Sequence, residues 1–299
     1  MKILLISVLV YISQLDDFDK LDLDIKWKQY KSTYSLTFNE EEDRLRKEIF
    51  IKNHQYIEEH NAKNSELKLK MNKFGHLRSD EVLTNEVMKR TKITTSHDIR
   101  NIGDFPVRKS IDWRTYGVVS PIKNQLDCGS CYAFSGIGAI ESHYAIQEGS
   151  LPLLSEQEIV DCSRGFGNDG CFGGWPINEG TCQSKSPVRD YRVKSFLEVP
   201  AGDEKQLIRF LSFYGPVSVA MDVGFPEFMF YSSGILNITH CLKDSLNHAI
   251  LAVGYSLEGT PHYIVKNSWG THWGEDGYFR MILGENMCGI ATAAAIPLL

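Results

Sequence analysis

The sequence predicts an α+β protein in which a charged helical leader is followed by a helical half and then a β-rich half. Three observations predict it. Helical periodicity runs from Glu42 to Asn61, again after Cys131, and again from Asp203 to Tyr214. After Tyr214 the pattern turns to short strand-like runs at 217–221, 248–255, 262–267 and 277–282. All seven cysteines lie after residue 127, which sets the leader apart chemically from the rest of the chain. Helices grouped before strands indicate a segregated α+β plan, not an alternating one.

Met1 and Lys2 followed by the apolar run 3–12 read as a secretory signal over residues 1–14. The run is too short to span a bilayer. Residues 15–104 form the leader. Within it, Glu42, Arg46, Phe50, Asn53, Ile57 and Asn61 recur at steps of 4, 4, 3, 4 and 4. At 100° per residue they occupy one helical face about 100° wide. Four of the six are polar, so the face predicts side chains held in an internal hydrogen-bond network. Met71 and Phe74 read as a strand or extended segment, and the Thr-rich stretch 84–104 as a linker or cleavage region.

The second block starts near Phe105. Residues 111–117 and 118–122 lead, extended, into a helix beginning at Cys131 and ending near Gly149. Ser155 and Glu158 stand at capping-box spacing before another helix. A Gly-rich loop comes next, from Gly165 to Gly174. Internal repeats and low-complexity tracts are absent from the sequence.

A formal charge of −6, with Lys and Arg scattered, gives no surface pattern for nucleic acid, and no segment reaches membrane length. The secretory reading makes the cysteines informative. Cys128, Cys131, Cys162, Cys171, Cys182, Cys241 and Cys288 allow three disulfides and leave one thiol over. Zinc is a poor use for them, because Cys128 and Cys131 lack a second close pair at ligand spacing. Neither a metal nor a cofactor is expected.

Cys131 follows Gly129-Ser130 at a predicted helix N-terminus, where the macrodipole favours thiolate over thiol. Two readings compete there, a nucleophile and a half-cystine. The strands 248–255 and 262–267 form a predicted hairpin. If it is symmetric about residues 257 and 258, His248 stands opposite Asn267 on one face. An imidazole so placed can hold a nearby Cys as thiolate and protonate a leaving amine, while the Asn oxygen fixes the tautomer.

With these residues in view, the chain resembles the papain family of cysteine endopeptidases, closest in organisation to the cathepsin L group. The matching pieces are Gln125 with Cys-Gly-Ser-Cys-Tyr132, Leu154-Ser-Glu-Gln157, Asp161-Cys162, Gly170-Cys-Phe-Gly-Gly174, Asn247-His-Ala249, Val253-Gly-Tyr255, Lys266-Asn-Ser-Trp-Gly270 and Trp273-Gly274. The six-residue face of the leader matches the family's propeptide motif at every position. The resemblance implies a two-lobed fold, with a helical half at about 105–202 and a β-barrel-like half at about 203–299. An inhibitory propeptide, 15–104, would precede the peptidase domain, 105–299. Cys131 would be the nucleophile, forming a thioester acyl-enzyme, with His248 as general base and acid and Asn267 orienting it. Gln125 and the Cys131 N–H would make the oxyanion hole. Trp269 would shield the His–Asn bond, and Gly173 and Gly174 would pair with an extended substrate. Disulfides 128–171, 162–182 and 241–288 are implied, which leaves Cys131 free.

The resemblance also implies a specificity pocket walled by Trp175, Pro176, Ala220, Leu246, Ala249 and Ala293. Those apolar, partly small walls favour a bulky apolar side chain such as Leu or Phe one residue before the scissile residue. The implied partners are protein or peptide substrates, the chain's own propeptide and cystatin-like inhibitors, with a monomer expected in the lysosome or the extracellular space. Asn237-Ile-Thr239 fits a glycosylation sequon. Three substitutions and one short spacing depart from the family pattern. Leu126 replaces a Gly, Tyr132 a Trp, and His76 an Asp of the propeptide motif. Only seven residues separate Gly174 from Cys182, so roughly twenty residues of the helical half are absent, with their buried apolar surface. A binding homologue without activity, or an incomplete splice or gene-model product, is the alternative reading.

Overall fold

The computed structural model describes residues 21–63, 66–83, 105–176 and 191–299. The expected signal segment, the linker 84–104, Cys182 and most of the shortened stretch after Gly174 lie outside the described residues.

The leader opens with α1, residues 21–33, and α2, Glu40–Ala62, whose N-cap Asn39 accepts from the Glu42 N–H. Four acidic residues crowd the first turn of α2, where the positive end of the macrodipole stabilises them. Trp27, Tyr30 and Phe50 form a small apolar core between α1 and α2. The polar face of α2 is tied to the later part of the leader. Arg46 binds Glu42 at 2.6 Å and Glu81 at 2.8 and 2.9 Å. Asn53 donates to the carbonyls of Gly75 and Leu77, and Asn61 exchanges two bonds with Leu69. These side chains set the path of the segment after α2, which holds β1, Lys68–Leu69, and α3, Ser79–Val82.

The second block begins with β2, Ser110–Asp112, and a single 3-10 turn, Trp113–Tyr116. Then comes α4, Cys131–Glu148, closed at its far end by Gly149. The next helix is α5, Glu156–Cys162, with Ser155 capping it through the Glu158 N–H. The strand-rich half is built from β3, Ser195–Glu198; α6, Glu204–Phe213; β4, Val217–Met221; α7, Pro226–Met229; β5, Tyr231–Ser233; and β6, Ile235–Leu236. It is completed by β7, His248–Ser256; β8, His262–Lys266; β9, Tyr278–Ile282; and β10, Ala293–Leu298. One sheet runs β3-β10-β4-β7-β8-β9-β6, with β2 added on β7. Its central strands β4 and β7 are buried on both faces, apart from Ser256 at the end of β7. That burial explains their continuous apolar runs.

The β7–β8 hairpin corrects the symmetric register expected from sequence. Leu251 pairs with Lys266, and Ser256 with His262, with an irregularity between Ala252 and Gly254. The turn is therefore centred near Glu258 and Gly259, and Ile250, not His248, faces the position of Asn267. A shift of two residues keeps every side chain on its own face. His248 and Asn267 consequently become diagonal neighbours on one face.

The leader is joined to the strand-rich half along a seam. Leu69 of β1 pairs with Tyr231 of β5, and the Lys70 N–H donates to the Phe230 carbonyl. Asn72 donates to Met229 O at 2.8 Å, and Phe74 meets Trp269 edge-on at 4.9 Å. The segment expected to be extended around Met71 and Phe74 is thus a short strand followed by a turn against the other half.

Candidate active site

The helix that starts at Cys131 is fixed against the sheet by small residues. Ser135 Oγ donates to the Ile250 carbonyl at 2.6 Å and lies 2.7 Å from Ser218 Oγ. A side chain added at Gly138 would press on Leu251. Such close approach brings the first turn of α4 to the start of β7. Cys131, Tyr132 and Ala133 share a buried cluster with Ala249, the residue after His248. Among the described residues Cys131 is the free cysteine. Cys128 is bonded to Cys171 and Cys241 to Cys288, while Cys162 is disulfide-bonded to a partner outside the described residues.

His248 Nε2 and Asn267 Oδ1 are 2.9 Å apart, and both residues are buried. Asn267 Oδ1 also accepts the Ser268 N–H at 2.8 Å, so the side chain is held from its own loop. With Nε2 engaged by an acceptor, Nδ1 carries the lone pair of the neutral ring. The ring is walled by aromatics. Trp269 lies 5.2 Å from it and Phe228 6.0 Å, while Trp269 itself packs on Trp273 at 5.3 Å. This wall keeps water from the His–Asn bond, which is stronger in the resulting low dielectric.

Gln125 is held from both ends. Its N–H donates to the Ser268 carbonyl, its Oε1 accepts from Ser268 Oγ at 2.6 Å, and its Nε2 donates to the Cys128 carbonyl at 2.8 Å. The second N–H of the amide remains for a further acceptor. Next to it Leu126 has φ +54° and is 69% exposed. Leu thus occupies the left-handed conformation that a Gly would take without strain. Asn124 Oδ1 secures the turn by accepting the Leu126 N–H.

The electrostatics differ from what the position of Cys131 predicts. Burial pushes the Cys131 thiol up, against the pull of nearby backbone groups of Ala249, Tyr132 and Cys131 itself. Burial also lowers His248 to about 4, with the Asn267 bond opposing. In both groups burial is the larger influence, and it favours the neutral thiol and the neutral imidazole.

The expected substrate-facing residues separate into two groups. Trp175, Ala220 and Leu246 form one buried cluster with Ala293 packed against it. Ala249 stands instead with Cys131, and the carbonyl of half-buried Pro176 abuts α4 at Gly136. Gly173 has φ +127°, and a Cβ on Gly174 would collide with Asn168 Oδ1, so each position requires glycine. Three contributors escaped the sequence reading. Asn168 Oδ1 accepts the Trp175 N–H at 2.6 Å and shapes the glycine loop. Ser268 positions both Gln125 and Asn267. Phe228 completes the aromatic wall. The adjacency of Ser268 to Asn267 was the one available signal, since Asn168 and Phe228 are brought in only by tertiary folding.

Residues 107–179 and 177–298 match the model of the papain family cysteine protease, and residues 27–82 match the cathepsin propeptide inhibitor domain. Cathepsin L2 of Homo sapiens is 37% identical over 323 residues, covering 95% of each chain. Pro-cathepsin H of Bos taurus is 38% identical over 290 residues, covering 87% of this chain and 86% of its own. The structure of digestive procathepsin L2 proteinase from Tenebrio molitor larval midgut superposes with a TM-score of 0.84 at 32% identity, covering 93% of this chain and 100% of that one. With the leader matched over 27–82 and the remainder over 107–298, the chain belongs to the papain family of cysteine proteases and is a cathepsin L-like endopeptidase with its inhibitory propeptide.

Proposed function

We propose that residues 15–104 are released from a peptidase domain, 105–299, in which Cys131 attacks the scissile carbonyl. Once the leader is gone, solvent reaches the pair and a proton passes from Cys131 Sγ to His248, giving the thiolate–imidazolium form. The tetrahedral oxyanion is stabilised by the Cys131 N–H and by Gln125 Nε2, whose amide Ser268 holds in place. Such preorganised donors each supply about 2.7–4 kcal/mol in comparable sites. The imidazolium gives its proton to the leaving amine, a thioester forms, and His248 then activates the water that hydrolyses it. The observation that carries this reading is the buried His248–Asn267 bond beside a free cysteine at a helix N-terminus. The apolar cluster of Trp175, Ala220, Leu246 and Ala293 supports a preference for Leu or Phe one residue before the scissile residue. The secretory-route reading places the enzyme in the lysosome or the extracellular space.

The test is to acid-activate the purified chain and add an epoxide that alkylates activated thiols. Labelling at Cys131 that disappears in His248→Ala is the expected result. A folded, processed chain that takes no label would support the non-catalytic reading. A fluorogenic peptide panel preferring Arg or Pro at the specificity position would overturn the proposed pocket.

A further inference from the structure

The strand β6 pairs in parallel with β9, Leu236 opposite Met281, and the chain then leaves the sheet edge as Asn237-Ile-Thr239. Ile238 is buried in the main core, while Asn237 and Thr239 on either side of it are exposed. This in–out alternation turns the Asn amide and the Thr hydroxyl to the same side. Among the described residues, neither side chain has a hydrogen-bond partner in the protein. A sequon therefore stands with both recognition groups outward and unengaged, on a loop whose middle residue anchors it.

Asn237 lines an open groove of about 370 Å³ that the leader and the peptidase half build together. The leader contributes His60, Glu66 and Leu67, and the peptidase half contributes Glu227 and His240 beside Asn237. Glu66 and His240 are exposed at the groove, with His240 Nε2 3.6 Å from Glu227 Oε2. The groove continues the β1–β5 seam, since Lys68 opposite Ser233 stands two residues beyond Glu66.

We propose that Asn237 carries an N-linked glycan whose first sugars lie in this groove and brace the propeptide against the peptidase half. The proposal rests on the secretory-route reading, because the donor is a polyprenyl-diphosphate oligosaccharide of the secretory lumen. In that transfer the Asn237 side-chain nitrogen bonds to the anomeric carbon and loses one proton, and the polyprenyl diphosphate departs with the electron pair of the broken C–O bond. Hydroxyl and acetamido groups of the sugar then meet Glu66 of the leader and His240 of the peptidase half. Neither Cys131 nor His248 lines this groove, so the glycan is expected to act on release of the propeptide and not on turnover by the released enzyme.

The experiment expresses the full chain in a eukaryotic secretory host and treats the exported precursor with a peptide N-glycosidase. A mass loss is expected, with Asn237 converted to an acid. The loss should vanish in Asn237→Gln and Thr239→Ala and survive in Thr239→Ser. Acid activation of Asn237→Gln should run roughly two- to tenfold faster, the worth of one net hydrogen bond across the seam. The activated variant should match the parent in kcat/KM. An exported precursor without the glycan overturns the proposal alone. A chain retained in the cytosol overturns the secretory reading and the proposal with it. A glycosylated precursor whose activation rate matches that of Asn237→Gln overturns the brace.

Discussion

At the residue scale, the His248–Asn267 pair illustrates how one hydrogen bond fixes a reactive geometry. Asn267 acts through His248, so replacing it should change the ring's orientation and its proton affinity without touching substrate. Asn267→Ala is expected to lower kcat/KM by about 10- to 100-fold, the worth of about 1.5–3 kcal/mol for a hydrogen bond to an ion. Because the bond raises His248, the acid limb of the pH–rate profile should also move. A fall in kcat/KM with an unchanged pH profile would show that Asn267 serves packing alone. Leu126 gives a second prediction. Its positive φ costs about 1–2 kcal/mol, which Gly relieves while adding about 0.5–1 kcal/mol of unfolded-state entropy. Leu126→Gly should therefore leave the denaturant midpoint nearly unchanged, whereas β-branched Leu126→Val should destabilise by about 1–2 kcal/mol. Both variants need Cys131 blocked during the measurement. Equal midpoints for the two would mean that the turn is not strained. The pairing of His248 with Asn267 was legible in the sequence, but its register was not. Nothing local to residues 257–261 signals that the turn is off-centre, and the irregularity near Val253 follows from packing across the sheet.

At the scale of elements, helix α2 was the most legible part of the leader, because its six face residues repeat with the helical period. Their partners were not legible. The carbonyls that Asn53 and Asn61 bind belong to a segment without periodicity, which those bonds themselves shape. Beside these partners, which include the Glu81 carboxylate, stands His76, with its Nδ1 3.0 Å from Tyr30 Oη and its carbonyl accepting from Arg46. Burial lowers its pKa, and the Arg46 guanidinium lowers it further, while Glu81, the Lys73 backbone and Asp127 oppose. A histidine that is harder to protonate in the folded leader than in the unfolded chain stabilises the leader fully above about pH 6.5. That stabilisation is lost as the pH falls from there through the lowered value. Acid therefore weakens the leader through His76. An Asp at this site would face Arg46 and stay ionised to lower pH. For His76→Asp the midpoint of acid activation should fall by roughly one to two pH units, the scale set by the gap between His and Asp. Superimposable activation curves for the variant and the parent would remove His76 from the trigger.

At the scale of the whole molecule, the leader and the two halves of the peptidase are tied to one another, and the helical half is held by specific connections. Its helix α4 is largely buried against the sheet, and further connections hold it to its neighbours. Two are described. Lys123 joins Glu141 of α4 to Glu156 of α5 and also donates to the Leu154 carbonyl. The Cys128–Cys171 bridge ties the start of α4 to the glycine loop across a sequence separation of 43. Closing a loop of that length removes enough freedom from the unfolded chain to contribute about 3–4 kcal/mol. Against a typical total margin of about 5–15 kcal/mol, that is a large share. The double variant Cys128→Ala with Cys171→Ala should lower the unfolding free energy by that amount, measured by denaturant titration of the precursor with Cys131→Ser to prevent self-cleavage. Because the bridge lies beside Gln125 and Cys131, activity of the double variant on an otherwise parental background should fall more steeply than its stability. A loss below about 1 kcal/mol would mean that packing of α4 on the sheet and the Lys123 contacts hold the helical half without the bridge.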